Sequence, residues 1–340
     1  MARSRIWPYC WPMTLDALDR RIVGALQIDG RAPWRLIADA LGEPERTISR
    51  RGTALLESGT VVISGWETPG TASILSISGT AHTIRLTATA LAHRPDTTFT
   101  YTLTGPADCV TEVCTAPGAL PTLLHDDLPG TPGLVAMSTL PVMKYFRTGF
   151  QWHPGLLRPQ EIEALRPLVP PPQSADSAPQ ALSSADRALA QAVAEDGRIP
   201  TDRLARLLGV AESTARRRLE ALRRDGRLTI RAVVEPHHLG LGTEAVLWIK
   251  AGPHDVDRIG ALLADDSRIR YAAAIMGEHQ LFADIITRDR RELYDFVTNS
   301  PALTTAQAVD TRLVVTSFKR SGVLAPVLRQ QRAAPSGRSS

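Results

Sequence analysis

Residues 15 to 66 lie over residues 182 to 233 at a constant offset of 167 without a gap, and nineteen of the 52 aligned pairs are identical. The identities include Asp19/Asp186, Arg20/Arg187, Asp29/Asp196, Gly30/Gly197, Arg31/Arg198, Pro33/Pro200, Leu41/Leu208, Gly42/Gly209, Arg50/Arg217, Arg51/Arg218 and Gly59/Gly226. A unit of this length recurring once is not a solenoid, which stacks short repeats at least three deep. It constrains the chain to a duplicated domain pair. A length of 340 residues and an apolar content of 43% supply enough material for several cores.

Each copy reads as three helices and a short extended segment. In the second copy Leu189, Ala190 and Val193 give the first helix an apolar face, and Asp196-Gly197-Arg198 stops it. Pro200, Thr201 and Asp202 open the second helix, whose stripe of Leu204, Ala205, Leu207 and Leu208 ends at Gly209. The spacing of Ala215, Leu219 and Leu222 predicts a third helix from about Glu212 to Arg224. Two helices around a three-residue glycine turn form a helix-turn-helix, whose second helix enters the DNA major groove.

On that geometry Ser213, Thr214 and Arg217 are the candidates for base edges, and Arg216, Arg218, Arg223 and Arg224 for phosphates. Arg46, Thr47, Arg50 and Arg51 are their counterparts in the first copy. One arginine on a surface helix is usually a solvated charge; five in a helix behind a turn point to a polyanion. Residues 182–233 carry 11 Arg against 7 acidic residues, while residues 15–66 carry 7 of each, so the second copy is expected to bind DNA more tightly. Gly52 stands where the second copy has Leu219, which predicts a core side chain missing from the first head and stiffening when leucine is restored. On this reading Arg217→Ala relaxes base preference, whereas Arg223→Ala only weakens binding.

The Leu-x3-Asp-Arg start, the Asp-Gly-Arg-x-Pro break, the Leu-Gly pair before the turn, the Arg-Arg of helix three and the closing glycine resemble the leucine-responsive regulator/AsnC (Lrp/AsnC) family of bacterial transcription factors. The resemblance implies an α+β chain: two winged helix-turn-helix domains, each followed by a ferredoxin-like β-α-β-β-α-β effector domain. Behind the second copy the pattern fits this order, with strands at 244–251, 268–276, 281–287 and 304–318 and helices at 255–264 and 292–298. Behind the first copy the corresponding strands are 73–78, 98–104, 109–115 and 133–146, with helices at 80–92 and 118–127. The expected domains are an N-terminal extension (1–14), heads at 15–66 and 182–233, effector domains at 72–150 and 241–320, a Pro-rich linker (151–181) and a disordered tail (321–340).

In the family a small effector, commonly an amino acid, binds beside a Gly-x-x-Asp turn between strands two and three. The first half keeps that turn as Gly105-Pro106-Ala107-Asp108; the second reads Gly277-Glu278-His279-Gln280, with an amide for the carboxylate. A carboxylate pairs with an α-amino group, so the substitution puts amino-acid sensing by the second half in doubt. The resemblance also implies dimers, here an intramolecular pseudo-dimer with two unequal reading heads, open to further homo-oligomer assembly. The partners expected are double-stranded DNA and an amino acid or other small molecule.

The same pair of folds resembles the siroheme decarboxylases, in which His237, His238, His254 and His279 would handle propionate or acetate side chains. This enzyme remains the alternative; the arginine-laden third helix favours the regulator, and no enzymatic activity is expected. No Gly-x-Ser-x-Gly elbow, phosphate loop or His-Glu-x-x-His motif is present. Cys10, Cys109 and Cys114 make no disulfide framework and no zinc spacing, so no metal or cofactor is expected and a reducing cytoplasm is the natural compartment. Nothing approaches a membrane span, and Met1–Thr14 lacks the apolar run of a signal peptide; its Trp7 and Trp11 are read as docking on the first domain.

Overall fold

The computed structural model describes residues 14–67, 70–105, 108–165 and 182–333. The first head comprises α1 (Ala17–Ile28), α2 (Trp34–Leu41), α3 (Glu45–Glu57) and a wing strand β1 (Val61–Glu67). The first effector domain follows as β2 (Thr71–Ser78), α4 (Ile84–His93), β3 (Thr97–Leu103), β4 (Cys109–Thr115), α5 (Leu120–Thr122) continuing as a π-turn to Asp127, and β5 (Ala136–Arg147). After α6 (Pro159–Leu165) the second head repeats the order as α7 (Ser184–Glu195), α8 (Thr201–Leu208), α9 (Glu212–Arg224) and β6 (Leu228–Val234). The second effector domain is β7 (Thr243–Lys250), α10 (Val256–Asp265), β8 (Ile269–Ile275), β9 (Leu281–Thr287), α11 (Arg290–Asn299) and β10 (Ala308–Arg320); β11 (Val323–Leu324) and α12 (Pro326–Ala333) end it.

The heads join through their wings. β1 and β6 form a two-stranded antiparallel sheet in which Ser64 faces Arg231. These two residues are also partners in the sequence repeat, so a pseudo-twofold axis passes between them. Around it the Asp-Gly-Arg break works reciprocally. The Gly30 amide donates to Ile230 O (3.0 Å) and the Gly197 amide to Ile63 O (2.9 Å). Arg31 donates to Gly197 O (2.8 Å) and Ile199 O (3.1 Å), while Arg198 donates to Gly30 O (2.8 Å) and Ala32 O (2.5 Å). A Cβ on Gly30 or Gly197 would lie 2.7 or 2.5 Å from the Ile63 Cγ2, so only glycine allows this approach.

The effector domains close on each other. Each contributes four antiparallel strands in the spatial order last-first-third-second, and the long last strands cross between them. β5 pairs with β2 through residues 136–141 and with β8 through 142–147; β10 pairs with β7 through 308–313 and with β3 through 314–319. Register shifts at 142–144 and 314–316 mark the crossovers. The outcome is a closed ring of eight strands, which removes the open edges that a lone ferredoxin-like sheet would expose.

Phe99, Tyr101, Trp248, Tyr271 and Phe282 fill the space between the sheets. Buried charge lies among them. The Glu112 carboxylate accepts hydroxyls from Tyr271 (2.6 Å), Tyr145 (2.8 Å) and Thr98. At the matching position of β9, Asp284 meets the Arg270 guanidinium (3.2 Å) and the Tyr101 hydroxyl (3.3 Å). Arg320 is held bidentately by Glu244 at 2.5 and 2.7 Å and reaches Glu235, just beyond the wing, at 3.4 Å.

Two segments differ from the sequence expectation. The expected linker starts later: Trp152 is buried and donates to Ser267 O (2.8 Å), Leu157 packs against Gly24 of the first head, and α6 joins that head through Glu161 to Arg21 (2.6 Å). The expected disordered tail is ordered to residue 333, because Leu328 buries in the core of the first effector domain and Arg329 donates to Gly59 O (3.2 Å). Helix 80–92 starts at Ile84, and the strands expected from 133 and 304 start at Ala136 and Ala308, behind turns that the threonine and proline content had blurred. Pro106, Ala107, the Pro170–Pro172 run, Cys10, Trp7 and Trp11 lie outside the described residues.

Candidate nucleic-acid interface

In each head a left-handed glycine ends the second helix, Gly42 at φ 67° and Gly209 at φ 63°, and turns the chain into the third. α9 buries Ala215, Leu219 and Leu222. Ser213, Arg216, Arg217 and Arg224 are exposed, and Thr214 and Arg218 half-buried. Arg216 makes an exposed i,i+4 pair with Glu212 (3.0 Å); Arg217, Arg218 and Arg224 have no carboxylate partner among the described residues. On α3, Arg46 and Arg50 are exposed and Thr47 half-buried.

Two arginines expected at DNA are used within the protein. Arg223 crosses the pseudo-twofold axis to the buried Asp29 carboxylate at 2.7 Å, because the aligned residue in the first head is Leu56 and the pairing exists once only. It is a structural ion pair. Arg51 is clamped at 2.5 Å from Asp16 and 3.0 Å from Asp19 at the start of α1. The expected gap at Gly52 is also filled. A Cβ there would meet the Trp34 ring at 2.4 Å, and the second head holds Thr201 and Leu219 at these two places. The first head therefore packs a large side chain from α2 where the second packs one from α9.

Sequence reasoning missed the axis residues. Arg31 and Arg198 share the side-chain type of a DNA contact but spend it on carbonyls, and burial holds both below the usual arginine range. Arg231 is buried at the axis, donates to Gln27 O and lies 3.0 Å from the His153 ring; desolvation alone pulls it down to about 9. An identical Asp-Gly-Arg pair in both repeats was the available signal.

The effector turns sit where β5 and β10 cross between halves. Asp108 Oδ2 accepts from the Gly79 amide (2.9 Å), and Gln280 Oε1 accepts from the Ala251 amide (3.1 Å), so both cap the end of the neighbouring strand. The change of carboxylate to amide keeps that backbone bond and gives up the charge. Gly105 lies against Arg312, and Gly277 against Leu140; Glu278 is exposed and His279 half-buried. The four histidines of the alternative reading do not converge: the His237 and His238 rings lie 4.2 Å apart, tilted, between wing and barrel, His254 precedes α10, and His279 lies 6.1 Å from Trp248. No group of three metal-ligating side chains occurs among the described residues, and no helix there is long and apolar enough to cross a membrane.

This architecture defines a class: a single-chain pseudo-dimer with two helix-turn-helix heads over a closed pair of ferredoxin-like domains. The AsnC-type helix-turn-helix domain matches at residues 15–56 and 182–223, so the chain carries that domain twice. An uncharacterized HTH-type transcriptional regulator of Pyrococcus abyssi is 29% identical over 142 residues, which are 42% of this chain and 90% of the relative. The HTH-type transcriptional regulator LrpA of Pyrococcus horikoshii is 26% identical over 117 residues, 34% of this chain and 82% of its own. Each relative thus corresponds to about one half of the duplication. Over the whole length the fold is similar to that of the siroheme decarboxylase NirDL, with TM-score 0.58, 13% identity and coverage of 93% of this chain and 97% of that one. That likeness corrects the expectation that the chain has no enzymatic activity: an enzyme is built on this architecture from end to end, so the fold gives no ground for excluding one.

Proposed function

We propose that the chain is a sequence-specific DNA-binding transcriptional regulator that reads two unequal half-sites with one polypeptide. The observation that carries this reading is α9, which presents Arg216, Arg217, Arg218 and Arg224 around Ser213 and Thr214 on the helix behind the glycine turn. Ser213, Thr214 and Arg217 take base edges of the stronger half-site, and the other three arginines take phosphates. Thr47 and Arg50, with Arg46 on the backbone, read the weaker one. Because the heads are joined within a chain, the operator need not be a palindrome. An amino acid or other small effector beside the Gly105 and Gly277 turns is the regulatory part of the proposal, since a ligand at either crossover would touch strands of both halves.

The test is a fluorescence titration against the protein's own upstream DNA at two salt concentrations, with Arg216, Arg217 and Arg218 changed to alanine as the control. Tight binding that weakens with salt and is lost in the triple variant supports the proposal; equal binding by both proteins overturns it. The whole-length likeness to NirDL supports a second reading, decarboxylation of a tetrapyrrole side chain. A shift of the tetrapyrrole absorbance on mixing, with loss of carbon dioxide and no DNA binding, would put that reading first.

A further inference from the structure

We propose that Asp16 withholds Arg51 from DNA, so that the N-cap of α1 sets the unequal weight of the two heads. The inference rests on the DNA-binding reading above and deepens it.

Arg51 and Arg218 occupy the same position of the repeat, one residue beyond the base-reading Arg50 and Arg217. Among the residues around them, the helix cap differs: Asp16 stands in the first head where the second has Ser183. In the first head Asp16 caps α1, its Oδ1 accepting from the Asp19 amide at 2.8 Å while its Oδ2 takes the Arg51 guanidinium at 2.5 Å. Asp19 takes the same guanidinium nitrogen at 3.0 Å. In the second head the cap is Ser183. Its hydroxyl accepts from the Asp186 amide (3.1 Å) and donates to the Asp186 carboxylate (2.7 Å), which is the counterpart of Asp19. The carboxylate that could hold Arg218 is thereby engaged, and Arg218 has no carboxylate partner among the described residues.

Asp16 is also anchored. The Leu15 amide donates to His238 O (2.9 Å) in the loop that leads into the second effector domain, and Arg20 Nε donates to Leu15 O (2.9 Å). The cap therefore stays over the middle of α3, beside a groove of about 600 Å³ that Arg50, Arg51, Ser58 and His238 help to line. A phosphate approaching this groove meets a neutralised arginine and the uncompensated part of two carboxylates. In the second head the equivalent position offers a full positive charge.

Serine and aspartate both cap helices well, so Asp16→Ser copies the second head without removing the cap. In the full-length protein titrated with its upstream DNA, Asp16→Ser is expected to tighten binding about 3- to 10-fold at low salt. It should steepen the log K against log salt slope by roughly one further phosphate, about 0.9. Arg51→Ala in the otherwise unchanged protein is expected to alter binding by less than about twofold, and in the Asp16→Ser background to abolish the gain. Asp16→Asn, which keeps the cap and the side-chain shape, should reproduce the gain and guards against a folding defect in the serine variant. A gain that persists without Arg51, or no gain in either Asp16 variant while Arg217→Ala still weakens binding, overturns this proposal and leaves the DNA reading standing. No binding by any of the proteins overturns both.

Discussion

Restoring leucine at position 52 is expected to loosen the first head. The sequence repeat alone argues the reverse, since Leu219 is a buried core residue of α9 and glycine costs a helix about 1 kcal/mol in propensity. The structure changes the sign. The Trp34 ring lies 2.4 to 3.1 Å from where a Cβ of residue 52 would sit, so even the first carbon must displace an indole, and three further carbons follow. The indole has little room to move, because the Arg198 guanidinium stacks on it at 4.3 Å from across the pseudo-twofold axis. Overpacking of this kind costs about 1–3 kcal/mol, more than the propensity gain returns.

The paired change Trp34→Thr with Gly52→Leu copies the second head and should recover most of the loss. Trp34→Thr alone should also destabilise, by leaving a void, so the two substitutions are expected to show a coupling of about 1–3 kcal/mol. Hydrogen exchange of the α2 and α3 amides is the right assay, because it reads local opening of one head without requiring the whole chain to unfold in one step. With the propensity gain of about 1 kcal/mol set against the overpacking cost, protection in Gly52→Leu should fall by up to about 30-fold and return in the double variant. A rise in protection with leucine alone, or strict additivity of the two changes, would refute the argument that these positions share one volume.

Two further outcomes follow from buried charge. Arg223→Ala should destabilise the protein by about 3 kcal/mol in a urea titration, because it leaves the Asp29 carboxylate buried without its cation, and Asp29→Asn in the same chain should recover part of the loss; unchanged stability with weakened DNA binding would return Arg223 to a phosphate role. Burial and the neighbouring Glu244 carboxylate hold the Asp284 carboxyl at about 7, above its ordinary value of 3.8. A native acid that titrates high costs nothing while both states are protonated; as pH rises from about 4 to 7 the unfolded chain releases its proton first, so stability falls and then levels off. Asp284→Asn should flatten that decline, and a wild-type profile already flat between pH 4 and 7 would refute the assignment.

Helix three was legible because its apolar positions recur at i, i+4 and i+7, and the structure places α9 over the same Glu212–Arg224. β4 and β9, short β-branched and apolar-rich stretches between turn residues, likewise fall on 109–115 and 281–287. What periodicity cannot carry is the identity of the neighbour. Arg223 and Arg224 are adjacent charged residues of α9, yet only the second is exposed, and the distinction comes from Asp29, 194 residues away in the chain. The double pairing of β5 and β10 is likewise invisible, since a strand that changes partner halfway keeps the same alternation. The ordered C-terminal segment escaped because its sparse apolar residues, Leu324 and Leu328, pack on the first effector domain, not on the second.

Duplication within one chain explains which positions stayed alike. Gly30 with Gly197 and Arg31 with Arg198 make reciprocal contacts across the axis, so a change in one strains the other, whereas Ser64 and Arg231, which face each other on it, have diverged. Other positions are not tied to their own counterparts by such reciprocal contacts. There the copies have diverged in compensated sets: Trp34 and Gly52 against Thr201 and Leu219, Asp16 against Ser183, and Glu112 among hydroxyls against Asp284 beside Arg270. A dimer of identical chains would make each such change twice and could not hold both solutions. The fused chain holds both, and its asymmetry is therefore open to being a property of function: one head bound down by α6, the C-terminal segment and its own carboxylates, the other carrying the uncompensated arginines.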